Sequence, residues 1–68
     1  MLNVRALKAE MARYDYTQES LAKEIGMTSR TFHQRLVTGD FGVKEIEVMI
    51  SVLHLEDPMS IFFADSVT

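Results

Sequence analysis

The sequence contains no cysteine, a single proline, three glycines and two histidines. The lack of cysteine excludes disulfides and thiolate-bound metals, and it is consistent with a reducing compartment. The glycines form no phosphate-binding loop, and His33 and His54 do not cluster with acids at metal-ligand spacing. No serine or histidine stands in a recognisable nucleophile motif. We therefore expect neither an enzyme nor a protein that carries a metal or cofactor.

Long apolar runs are also missing. No stretch approaches the roughly 18 residues that cross a bilayer, and the N-terminus has no basic segment followed by an apolar one, as a signal peptide would have. A length of 68 residues predicts a single domain, residues 1–68. We expect this domain to be cytoplasmic, without membrane contact, and to gain stability from a partner or a second copy because its core is small.

Charge is divided unevenly along the chain, although the net charge is only −3. Residues 1–39 hold six Lys or Arg and four acids, for a net +2, whereas residues 40–68 hold one Lys and six acids, for a net −5. An acidic balance is unusual for a nucleic-acid binder. A polarised molecule can nevertheless present its basic face to DNA and keep the acidic face for another partner.

The apolar spacing is helical throughout, and no segment alternates for long enough to predict a strand. Turn residues and the predicted N-caps delimit five short helices. The predicted N-caps are Asn3, Thr17, Thr28 and Asp57. These helices are predicted at residues 3–13, 17–25, 28–37, 43–53 and 58–63. Their predicted inward-facing side chains are Val4, Leu7, Met11, Leu21, Ala22, Ile25, Phe32, Leu36, Val43, Ile46, Met49, Ile50 and Leu53.

The stretch 17–37 holds two of these helices, joined by a tight turn. Gly26 allows the left-handed backbone that ends the first helix, and Ala22 is small enough to let the two helices approach closely. Ile25 and Phe32 are expected to fill the angle between them. This is the arrangement of a DNA-reading helix-turn-helix. The second helix is left with an outward polar face of Ser29, Arg30, His33 and Gln34.

This stretch resembles the Cro/phage-repressor (XRE-type) helix-turn-helix. The family pattern is Gln, two variable residues, Leu-Ala, three variable residues and Gly, and the matching residues are Gln18, Leu21, Ala22 and Gly26. Further along, the chain is similar to small phage Cro-like proteins and modulators of repression from Gram-positive hosts, at Leu36, Gly39, Phe41, Glu45, Ile46 and the run 61–63. Leu36 and Val37 depart from the pattern, because many members have an acid and then a polar residue there.

The resemblance implies a fold and a function. The fold is an all-α, five-helix, lambda-repressor-like DNA-binding domain. The function is that of a phage or prophage transcriptional regulator which binds double-stranded operator DNA in a lysis–lysogeny type switch inside a bacterial host. Such regulators usually act as homodimers on two half-sites one helical turn apart.

The same resemblance places side chains of the third helix in the major groove. The predicted base-contacting residues are Ser29, Arg30 and Gln34. Arginine can donate two hydrogen bonds to guanine, and glutamine can bind adenine in the same way. The predicted phosphate-contacting residues are Gln18, Thr28, His33, Arg35 and Lys44. The alternative for each is a solvated surface residue.

The C-terminal run allows a second hypothesis. Because successive helical residues lie about 100° apart, Phe62 and Phe63 cannot both face the core. We predict Ile61, Phe62 and Phe63 as partner-interface candidates. The alternative is that this run closes the core over the first and fourth helices, and we favour this alternative for at least one Phe. In the second hypothesis the chain is an antirepressor, which binds a phage repressor protein through its acidic and apolar C-terminal half, since an acidic surface displaces counterions from DNA poorly.

Overall fold

A computed structural model describes residues 1–66 of the chain. It contains five α-helices, α1 (Val4–Arg13), α2 (Gln18–Ile25), α3 (Ser29–Thr38), α4 (Val43–Val52) and α5 (Pro58–Phe62), followed by a 3-10 turn at Ala64–Ser66. No strand occurs among these residues. The prediction of an all-α fold with five short helices is confirmed. None of the five is long and apolar enough to cross a membrane.

Side-chain caps decide where most of the helices begin. Four helices start after a residue whose side-chain oxygen accepts a hydrogen bond from an otherwise free first-turn amide. These residues are Asn3, Thr17, Thr28 and Asp57. Helix α4 is different, because Gly42 precedes it and the Glu45 carboxylate instead accepts a hydrogen bond from the Gly42 N–H at 2.8 Å. The predicted caps are confirmed at all four positions.

All five helices contribute to one apolar core. Its buried members are Leu2, Leu7, Met11, Leu21, Ala22, Phe32, Leu36, Met49, Leu53, Leu55, Ile61 and Phe62. Phe32 lies at its centre and is fully buried. The Phe41 ring packs against the Phe32 ring, with 5.6 Å between the ring centroids, and against the Phe62 ring, with 6.4 Å between the centroids. This aromatic row joins α3, the α3–α4 connection and α5.

The prediction that Val43 faces the core is wrong, because its side chain is 73% exposed. Val43 is the first residue of α4. Phe41, two residues earlier, already fills that end of the core between Phe32 and Phe62. The inward face of α4 therefore begins one turn later, at Ile46, which packs against the core.

Backbone hydrogen bonds attach α5 to the start of the chain. The Asn3 N–H donates to the Ile61 carbonyl at 2.6 Å, and the Ala64 N–H donates to the Met1 carbonyl at 3.0 Å. Leu2, between these two bonds, is buried in the core. The start of the chain, which leads into α1, is thus fixed to α5.

We expect Phe32→Ala to lower the free energy of unfolding by about 3–5 kcal/mol, the usual cost of emptying a filled aromatic site. Phe63→Ala is the matched control. Its side chain is 45% exposed, so we expect a loss below about 1 kcal/mol. Urea denaturation followed by circular dichroism measures both. Similar losses for the two variants would contradict this description of the core.

Candidate nucleic-acid interface

The connection between α2 and α3 is three residues long and is held by backbone bonds. Gly26 ends α2 in the left-handed conformation, with φ of +94°. The Ala22 carbonyl accepts hydrogen bonds from the N–H groups of Gly26 and Met27, both at 2.9 Å. Ala22 is fully buried. The turn therefore holds α3 against α2 through short-range bonds and close packing rather than through a flexible linker.

Helix α3 has two distinct sides. Phe32 and Leu36 are buried, whereas an outward stripe is exposed along the whole helix. We call this stripe the α3 face, and it consists of Ser29, Arg30, His33, Gln34 and Val37. The spacing of four and three residues places these side chains on neighbouring turns. The predicted base-contacting residues Ser29, Arg30 and Gln34 thus lie together on one accessible surface.

The α3 face carries one cation, Arg30, and lies in an acid-free stretch of the sequence. Residues 25–39 contain no Asp or Glu, although the chain as a whole is acidic. Arg30 takes part in none of the ion pairs formed among residues 1–66. Its guanidinium is therefore available to a ligand without first breaking an internal salt bridge.

Two predicted phosphate contacts lie at helix starts. Gln18 is the first residue of α2 and is half-buried. Thr28 precedes α3, and its hydroxyl accepts from the Thr31 N–H at 3.1 Å and donates to the Thr31 hydroxyl at 3.0 Å. The Thr28 hydroxyl is thus already used to cap the helix. What remains at this end of α3 is the pair of first-turn amides of Ser29 and Arg30, which have no intrahelical acceptor.

The other predicted phosphate contacts occupy different surroundings. His33 is exposed on the α3 face, and Lys44 is exposed in the first turn of α4. Arg35 is half-buried and faces α4, where its guanidinium donates to the Asp40 carbonyl at 2.9 Å and to the Glu45 carboxylate at 3.0 Å. The α3 face therefore does not include Arg35.

Of the three partner-interface candidates, Ile61 and Phe62 are buried, as the core-closing alternative predicts. They pack into the core because α5 docks through its inner side against α1 and the aromatic row. Phe63 turns outward, together with Met59 one turn earlier, which is 51% exposed. Of the three candidates only Phe63 remains accessible to a partner.

Two features of this region were not anticipated from sequence. Val37 extends the α3 face by an apolar residue that is 75% exposed. Glu45 links α4 to Arg35 across ten positions in the chain. The spacing from Gly42 to Glu45 is typical of a helix start and was a usable signal, whereas no local pattern pairs Glu45 with Arg35.

A groove of about 400 Å³ lies elsewhere, between the end of α1 and the α4–α5 connection. The Tyr14 and His54 rings meet there at 5.1 Å, and Glu10, Arg13 and Asp57 also line it. The groove holds charges of both signs and no residue of α3. It is therefore separate from the α3 face.

Thr28→Ala should lower the free energy of unfolding by about 1 kcal/mol, because the Thr31 amide loses its side-chain acceptor. Thr28→Ser keeps a hydroxyl at the same position and should retain most of that stability. Urea denaturation of the two variants measures the difference. Equal stability of the alanine and serine variants would show that the hydroxyl does not act as the cap.

No protein-family profile, curated protein or solved structure matches the chain. The α3 face, its charge and the residues around it are therefore the basis on which a function is argued.

Proposed function

We propose that the chain is a phage or prophage transcriptional regulator that binds operator DNA through the α3 face. The single observation that carries the proposal is the exposed α3 face, whose Arg30 forms no ion pair within residues 1–66 and lies in an acid-free stretch of an acidic chain. Because these side chains are exposed and mostly polar, the domain does not need a partner to cover them in order to fold. The polar side chains of the α3 face match the donors and acceptors at base edges.

The dimensions of α3 suit the major groove, which admits a single α-helix. Arg30 lies in the first turn of α3, the end of a recognition helix that reaches furthest into the groove. Gln34 follows it by four residues, or about 6 Å of helix rise. Base pairs stack about 3.4 Å apart, so the two side chains would contact base pairs on the order of two steps apart.

The remaining contacts would go to the sugar–phosphate backbone. The free amides at the start of α3 can donate to a phosphate, and exposed Lys44 in the first turn of α4 adds a cation. Because few cations face the duplex, sequence contacts would supply much of the affinity. In this proposal two copies occupy two half-sites one helical turn apart, and occupancy blocks or redirects RNA polymerase.

Selection from a randomised duplex library at physiological salt tests the proposal, and enrichment of a pseudo-palindromic site is the expected result. On the selected site, Arg30→Ala and Gln34→Ala should each cost about 1–3 kcal/mol of specific binding. Arg5→Ala is the matched control, since it removes another exposed arginine, from α1. It should leave specificity unchanged.

Two results would contradict the proposal that the α3 face binds operator DNA. A protein that is folded by circular dichroism and enriches no site would exclude autonomous operator binding. Equal loss of specificity in the Arg30 and Arg5 variants would show that the α3 face does not read bases.

The outward side of α5 favours a second candidate function, the binding of a phage repressor protein. Met59 and Phe63 lie one turn apart and are about half exposed. The exposed acids Glu56, Asp57 and Asp65 lie on either side of them in the chain, and no Lys or Arg follows Lys44. An apolar surface with an acidic rim is complementary to a basic partner, such as the DNA-reading face of a repressor.

For this second candidate, Phe63→Asp should weaken the complex with the repressor of the same phage at least tenfold, because it places a charge at the centre of the apolar contact. Arg30→Ala should leave that complex unchanged. Titration calorimetry with the purified repressor measures both. The reverse pattern, in which only Arg30 matters, would exclude α5 as the repressor-binding surface.

A further inference from the structure

Arg35 connects α3 to two other segments of the chain. A single guanidinium nitrogen donates to the Asp40 carbonyl in the α3–α4 connection and to the Glu45 carboxylate in α4. The Arg35 side chain is 36% exposed, and that of Glu45 is 22% exposed. The contact is therefore partly shielded from water. In the pair of Glu10 and Arg13, by contrast, the Arg13 side chain is 70% exposed and the charged atoms lie 3.9 Å apart.

The same oxygen atom of the Glu45 carboxylate accepts a second hydrogen bond. The oxygen that contacts Arg35 also accepts the hydrogen bond from the Gly42 N–H at 2.8 Å. One carboxylate oxygen thus joins the last turns of α3, the α3–α4 connection and the first turn of α4. The backbone between Gly39 and Gly42 is held at both ends by this small network.

We infer that the Arg35–Glu45 pair is a positioning device for the DNA-binding surface. The inference rests on the proposed function of the α3 face. Arg35 ties the first turn of α4, which carries exposed Lys44, to the last turns of α3. Arg35 is thus a positioning residue rather than a phosphate contact, and the phosphate contact at this end of the surface belongs to Lys44.

Two possible roles of Glu45 predict opposite changes in DNA affinity when its charge is removed. Glu45 is an acid near a surface that binds a polyanion, so removing its charge should by itself strengthen DNA binding. If Glu45 acts by holding Arg35 and the α4 turn, removing its charge should weaken DNA binding instead. The direction of the change therefore separates the two roles.

Glu45→Gln is the decisive variant, because the amide oxygen can still accept from the Gly42 N–H while the ion pair is lost. We expect specific affinity for the selected duplex to fall about three- to tenfold, in line with the loss of a partly shielded charged hydrogen bond. Glu47→Gln is the matched control. Glu47 is exposed on the same helix and forms no ion pair within residues 1–66. The affinity of the Glu47→Gln variant for the duplex should therefore be unchanged or slightly higher.

The salt dependence of binding identifies which cation meets the phosphate. Arg35→Gln should weaken affinity as much as Glu45→Gln, with an unchanged slope of log affinity against log salt, and the double variant should be no weaker than either. Lys44→Gln should reduce that slope by about one. A reduced slope for Arg35→Gln, or a tighter or unchanged complex for Glu45→Gln, would overturn the inference.

A measurement without DNA keeps this result separate from failure of the proposed function. Amide hydrogen exchange of Gly42, followed by NMR, should be accelerated several-fold in Arg35→Gln and unchanged in Glu47→Gln. An unchanged Gly42 rate in Arg35→Gln would overturn the positioning role whatever the protein binds. If the wild-type protein selects no duplex, the proposed function fails, and the DNA-binding part of this inference fails with it.

Discussion

The burial of Phe32 is the interaction on which the rest of the structure depends. Its ring lies fully inside the core and packs on Phe41, which in turn packs on Phe62. Because these three rings come from α3, the α3–α4 connection and α5, the two ring contacts set the position of the middle and the end of the chain. Fixing the inner side of α3 in this way also decides which of its side chains point outward.

The α3 face is suited to an anionic partner because residues 25–39 contain no Asp or Glu. The helix backbone is already ordered before binding, so only the exposed side chains have to lose freedom when they bind. The acids of this chain are concentrated after residue 39, which leaves the α3 face with Arg30 as its accessible cation. The proposed DNA surface and the acidic, apolar surface of α5 are thus carried by different helices. The two candidate functions need not compete for the same residues.

Local signals were sufficient to predict much of this structure. The caps at Thr17 and Thr28 and the left-handed end at Gly26 depend on bonds within three or four residues, so their spacing is visible in the sequence. Periodicity correctly separated Phe32 and Leu36 from the exposed residues of α3. It failed at Val43, because a residue from outside the helix, Phe41, occupies the place that the helical pattern assigns to it.

The sequence alone thus determined the number of helices, most of their caps and the composition of the α3 face, because each depends on contacts within about one helical turn. Only the tertiary structure decided that Phe62 turns inward while Phe63 turns outward, and that Arg35 contacts Glu45. Both outcomes depend on how separate helices dock against one another. The packing of the whole core sets those distances, and no local spacing encodes them.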